Sequence, residues 1–201
     1  HFTYTLLYII RVYFFWRMNM QKTFNYLQKN AAKLLAEEII KLTSKDCILL
    51  FIGTDKCIGD AFAPIVGSLL ESYNFLNNPI FGTIKHPVHA LNINNTLSYI
   101  KTVYPGKEIF VIDSMISQKG NVGDIILFNE GIFPGKATGK TLPKTGDTSL
   151  TLVVSNNEKD AINSLTTLRL NNIYEMAKVV SDALTYAFSD SVYSVTSDVL
   201  Q

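Results

Sequence analysis

Two aspartates stand where a carboxylate can act on a substrate. Asp60 lies in Gly53-Thr-Asp-Lys-Cys-Ile-Gly-Asp-Ala-Phe-Ala-Pro64, shortly after the apolar run Cys47–Ile52. Asp113 closes a second apolar run, Ile109-Phe-Val-Ile-Asp113-Ser114. An acid at the end of an all-apolar strand needs partners, because an isolated buried charge is costly. Two carboxyls held close cannot both ionise easily, so one keeps its proton near neutrality while the other remains a base. Such a pair can activate a water against a peptide carbonyl and donate to the developing oxyanion or leaving nitrogen. Each acid also has a structural explanation. Asp is a favoured N-cap and the positive end of a helix stabilises it, which suits Asp60; Asp113 could cap the turn after its strand. A coupled pair titrates jointly, so the sequence does not say which is acid and which is base.

The neighbouring groups carry weaker signals. Asp55 either lines the same site or caps its turn. His86 and His89 flank Pro87-Val88; either is a loop histidine bonded to backbone, or His89 joins the two acids at a metal. Gly131–Gly146 is rich in Gly, Pro, Lys and Thr and suits a long loop over the site, with Lys136, Lys140 and Lys144 placed to attract an acidic substrate. It is not a phosphate loop, because Gly135-Lys-Ala-Thr-Gly-Lys-Thr141 lacks the required spacing and does not join a strand to a helix. Ser114 and Cys57 have no patterned histidine partner, which argues against nucleophilic catalysis.

The elements that must position these residues follow from periodicity. Phe24, Leu27, Ala31, Leu34, Leu35, Ile39 and Leu42 recur at three- and four-residue steps and predict one amphipathic helix. Cys47–Ile52 reads as a strand buried on both faces. A helix begins near Asp60, with Phe62, Ile65, Val66, Leu69 and Leu70 inward. Strands are expected at Pro79–Ile84, Glu108–Ile112 ending at Asp113, Val122–Phe128 and Leu150–Ser155. Leu91–Tyr104 is partly helical, and one long helix covers Asp160–Phe188. Alternating helices and short apolar strands predict an α/β fold, a three-layer sandwich whose central sheet is mostly parallel with helices on both faces. In such folds functional groups gather beyond the carboxyl ends of the strands, where both acids fall.

The chain of 201 residues suits a single domain over residues 20–188. Residues 1–17 are aromatic and apolar, broken by Arg11, and precede Met18 and Met20. They read as a non-native or over-long leader without chemistry. Residues 189–201 read as a polar tail. A hydrophobic share of 47% excludes disorder as the overall state, and a net charge of +1 gives no field favouring nucleic acid or an anionic membrane. Cys47 and Cys57 are too few for a disulfide framework, so free thiols in a reducing compartment are expected.

Several collinear blocks resemble one family. Phe51-Ile-Gly-Thr-Asp-Lys-Cys-Ile-Gly-Asp-Ala-Phe-Ala-Pro-Ile-Val-Gly67 is similar to the opening motif of the YyaC-type sporulation proteins (DUF1256). The likeness continues through Phe81-Gly-Thr-Ile84, His86-Pro-Val-His-Ala-Leu-Asn92, Phe110-Val-Ile-Asp-Ser114, Gly131-Ile-Phe-Pro-Gly135 and Leu142-Pro-Lys-Thr-Gly-Asp147, covering roughly residues 45–187. That family resembles the spore germination protease and, more distantly, the hydrogenase-maturation endopeptidases, which share a phosphorylase/hydrolase-like fold. The resemblance implies an aspartic-type endopeptidase with Asp60 and Asp113 as its catalytic acids. Asp55, His89, Asn92 and Ser114 would line the site. It implies a protein or peptide substrate, such as small acid-soluble spore proteins, no cofactor and no metal. The place would be the cytoplasm of a sporulating bacterium or its spore. A metal-dependent maturation peptidase and a non-enzymatic spore protein are the alternatives. Ala63 departs from the family's usual Gly beside Asp60.

Overall fold

The computed structural model describes residues 21–73, 76–134 and 143–189. The leader 1–17, Lys136, Lys140 and residues 190–201 lie outside them. The elements run β1 (Gln21–Asn25), α1 (Ala31–Leu42), β2 (Ile48–Phe51), α2 (Phe62–Tyr73), β3 (Ile80–Phe81), α3 (Ile93–Val103), β4 (Ile109–Ile116), β5 (Asp124–Phe128), β6 (Thr148–Ser155), α4 (Ala161–Thr166) and α5 (Leu170–Phe188). A 3-10 turn at Gly59–Ala61 precedes α2.

The six described strands form one α/β sheet in the order β1-β5-β6-β4-β2-β3. β2 pairs in parallel with β3 and β4, and β4 with β6, whereas β5 is antiparallel to both β6 and β1. The sheet is therefore mixed but mostly parallel, as expected: of the six described strands β5 alone runs against the others. The cause lies in a connection. Only residues 117–123 link β4 to β5, too few for the helical crossover that a parallel return requires.

The first expected helix is also divided. Gln21–Asn25 is an edge strand facing β5, and the helix starts only at Ala31, after Asn30 in the left-handed region with φ 61°. Phe24 fits a helical stripe and a half-buried strand equally well, and Leu27, counted as inward, is 76% exposed. The last expected helix breaks between α4 and α5 at residues 167–169. Asp160 caps α4, its side chain accepting from the Asn163 N–H.

Strand residues alternate between two apolar clusters. Leu49, Phe51, Phe110, Ile112, Leu150 and Leu152 join buried side chains of α1, α2 and α5. Ile48, Leu50, Ile52 and Val111 point the other way, to Val88 and to Ile93 and Ile100 of α3. Helices thus cover both faces of β2 and β4, which explains why these strands are apolar throughout. Phe51, Phe62 and Phe110 are fully buried, each worth about 1.5–3 kcal/mol by transfer of its side chain from water. This packing makes the carboxyl ends of β2 and β4 a rigid platform.

Candidate functional site

The platform has a step in it. β2 ends at Phe51, paired with Ile112, while β4 continues through Asp113, which pairs with Thr151 of β6. Asp113 is therefore inside a strand, where the sequence suggested the strand's end. It projects beyond the point where its other neighbour has stopped. By strand alternation its side chain shares the face of Val111, while Ser114 turns to the opposite face. Past β2 the chain goes toward β3, and past β4 it goes toward β5 and β6, in opposite directions along the sheet. A crevice opens where neighbouring strands lead apart, the usual location for ligands in such sheets.

Two loops close over this crevice, held by successive backbone donors. The Gly53 N–H donates to the Val88 carbonyl at 2.8 Å, and the Thr54 N–H donates to the Asp60 carbonyl at 3.1 Å. The 83–92 loop and the Asp60 turn are thereby tied to adjacent residues. Gly53 is required for this. Its φ is +152°, and a Cβ there would sit 2.1 Å from the Asp60 carbonyl oxygen. Gly53→Ala is expected to push the Asp60 turn away and destabilise the fold by more than about 1 kcal/mol, through backbone strain plus the clash. A thermal melt checks this; an unchanged Tm would show that the tie is dispensable.

Asp60 sits half-buried in the 3-10 turn, whose N-cap position is held by Ile58 rather than by the acid. Burial pushes its carboxyl up to about 6, partly offset by a backbone hydrogen bond from Thr54 and by the nearby His89. Asp113 is 8% exposed. Its carboxyl is pushed well above the usual carboxylate range by burial and then by the charge of Asp60, with only the Ser114 N–H acting the other way. That N–H donates to Asp113 Oδ1 at 2.7 Å. The two acids thus feel each other, and Asp60 is the one that ionises first.

The remaining candidates divide. His89 is half-buried and close enough to Asp60 to favour its ionised form. The Asn92 side chain holds the loop: Oδ1 accepts from the His89 N–H at 2.8 Å and Nδ2 donates to the Pro87 carbonyl at 2.9 Å. Asp55 lies exposed on the turn after β2, and His86 is exposed on the loop before His89. Lys144 is ion-paired with Glu130 at 2.5 Å, which occupies the charge read as available to an acidic substrate. The flanks of the 131–146 loop meet in a bridge between Ile132 and Thr145. Among the described residues no three His, Cys, Asp or Glu side chains gather as a set able to hold a metal ion. No described helix is long and apolar enough to cross a membrane. Cys47 and Cys57 are both free; Cys47 is buried, and that burial pushes its thiol up to about 12, which leaves it unreactive.

Sequence reasoning missed the backbone donors of Gly53 and Thr54 and the clamp formed by Asn92. A glycine directly after a buried strand was the available signal for the first. A cavity of about 490 Å³, lined by Phe81, Thr83, His86, His89, Asn92 and Thr96 among others, runs beside this site. His89 belongs to its wall, whereas Asp60 and Asp113 do not.

Residues 19–183 match the family described as "Protein of unknown function (DUF1256)". The chain is also 26% identical over 156 residues to the uncharacterized protein YyaC of Bacillus subtilis (strain 168), covering 78% of this chain and 76% of that protein.

Proposed function

The chain belongs to the DUF1256 family, and from that premise we propose that it is an endopeptidase in which Asp60 and Asp113 drive attack of water on a peptide bond. The supporting observation is the pair of mutually repelling carboxyls at the crevice, of which Asp60 gives up its proton first. Near neutrality Asp60 is the ionised member and takes a proton from the attacking water. Asp113, still protonated, donates to the carbonyl oxygen; as the resulting gem-diol collapses, Asp113 takes a hydroxyl proton back and Asp60 passes the proton it took from water to the leaving nitrogen. One water is consumed, one carboxylic acid and one amine form, and both acids return to their starting protonation. The proposed fold is the phosphorylase/hydrolase-like sandwich, in keeping with helices on both faces and with the acids placed just beyond the end of β2. The proposed substrates are small acid-soluble spore proteins, met in the cytoplasm of a sporulating cell or in its spore.

The test is cleavage of purified small acid-soluble spore proteins by the purified chain, with and without a chelator. Cleavage is expected to persist at an unchanged rate in the chelator, because the pair works through a shared proton. Activity that vanishes with chelator and returns with added nickel or zinc would replace this reading with a metal-dependent peptidase. No cleavage under either condition would leave a protein that keeps the acids for binding.

A further inference from the structure

Two helices and one loop leave an apolar groove open to solvent. Ile65, Ser68 and Leu69 recur at three- and four-residue steps and share one side of α2. Leu170 and Tyr174, four apart, share a side of the first turns of α5, and Ile84 comes from the segment after β3. With Asn171 they line a groove of about 520 Å³. Ile84, Leu170 and Tyr174 are 43%, 57% and 44% exposed, and no lining residue carries a charge. Large apolar side chains that converge at a surface mark a ligand groove or an interaction site.

The Ile84 N–H donates to Ser68 Oγ at 2.9 Å, which fixes the loop wall to α2. Thr83 and Lys85, on either side of Ile84, line the 490 Å³ cavity instead. The segment therefore separates a polar cavity from an apolar groove.

Every wall of the groove continues into an element that frames Asp60. α2 follows directly on the Asp60 turn. The loop of Ile84 leads to Val88, tied to Gly53, and the next N–H, that of Thr54, donates to the Asp60 carbonyl. Leu165 and Leu168, just before α5, lie against Gly59, where a Cβ would meet them at 2.7 and 3.0 Å. α5 itself packs against the same turn. Ile65 stands five residues beyond Asp60, or about 7.5 Å along a helix axis. An extended peptide advances about 3.3 Å per residue. On that scale the groove begins about two residues from a bond held at Asp60 and, at Leu69, ends about four away.

We propose that this groove is the specificity subsite of the acid site, taking a bulky aliphatic or aromatic side chain of the peptide about two to four residues from the scissile bond. That the occupant is a substrate rests on the acid-pair reading. Its apolar character rests on the uncharged lining and the three exposed side chains.

The test reads binding apart from cleavage. Blocked tripeptides acetyl-Gly-X-Gly-amide, with X as Phe, Leu, Ser or Asp, are titrated into the full chain and followed through its isoleucine and leucine methyl NMR signals. The Phe and Leu peptides are expected to shift the methyls of Ile84 and Leu170, with Kd roughly tenfold or more below that of the Ser peptide, as burial of one such side chain gives. The Asp peptide should leave those methyls unmoved. Leu170→Ala and Tyr174→Ala remove exposed atoms, so each is expected to keep the wild-type Tm while weakening the preference for Phe and Leu. Equal affinity for the four peptides, or shifts confined to methyls outside the groove, would overturn the proposal. So would groove shifts that follow protein concentration without peptide and vanish in Leu170→Asp, which would make the surface a contact between two copies of this chain. Binding in the groove by a chain that cuts no spore protein removes the peptidase reading alone. Cleavage without binding there removes the subsite alone.

Discussion

Asp60→Asn and Asp113→Asn are each expected to lower the rate of spore-protein cleavage by roughly 10²–10⁴-fold, the usual contribution of one general acid or base. Asparagine keeps the size of the side chain but cannot exchange a proton. The variants should remain folded. At Asp113 the amide oxygen can still accept from the Ser114 N–H that now bonds Oδ1. At Asp60 no N-cap is lost, because Ile58 and not Asp60 holds the cap position of its turn. The losses should not add. Removing one member disables the pair, so the double variant is expected near the level of the worse single variant. Single-turnover cleavage measured on both single variants and the double variant checks this. Two independent losses that multiply, or a single variant with wild-type rate, would remove the acids from the chemistry.

Stability should fall as pH rises from about 4 to about 8, the opposite of what paired surface carboxylates produce. An unfolded aspartate titrates near 3.9. In the folded chain burial pushes the Asp60 carboxyl up to about 6 and raises that of Asp113 well above the usual carboxylate range. Between the unfolded and folded values the native state holds more protons than the unfolded state, so the free energy of unfolding decreases with pH. The contribution is fully present below the unfolded value and is lost as pH passes through the folded one. For Asp60 two units correspond to about 3 kcal/mol, on the order of a fifth to a half of a typical domain's stability. Glu38, held by Lys22 and Lys41 below its ordinary value, acts in the opposite sense but at more acidic pH. Urea denaturation at pH 5 and pH 8 is expected to show the wild type losing stability while Asp60→Asn and Asp113→Asn lose less. Both variants should then exceed wild type at pH 8, trading activity for stability as destabilised sites do. Parallel curves for all three chains would mean that neither carboxyl is desolvated.

Local patterns in the sequence were enough for the parts whose energetics are local. Cys47–Ile52 has no polar residue, so it had to be a strand covered on both faces, and it is. Phe62, Ile65, Val66 and Leu70 repeat with the helical period and are buried in α2. Asp60 and Asp113 were recognisable because an acid beside an apolar strand is costly without a reason. What failed were features fixed by partners distant in the chain. Gln21–Asn25 is a strand because β5 offers it an open edge, and its own residues suit a helix as well. Nor do the residues show that β5 runs against the other described strands; a short connection reverses it, a matter of geometry rather than residue type.

The site divides in the same way. That two carboxyls were present, and that either could be a base, was in the residue types. That Asp60 ionises before Asp113 depends on unequal burial, on a backbone donor six residues upstream and on a histidine brought from another loop. Asp113 projects into the crevice because β2 stops one pairing short of it, and no pattern within Ile109–Ile116 records where a neighbouring strand ends. Residue type sets which protons can move. Tertiary structure decides which of them do, because desolvation and the distance between charges exist only once the strands are side by side.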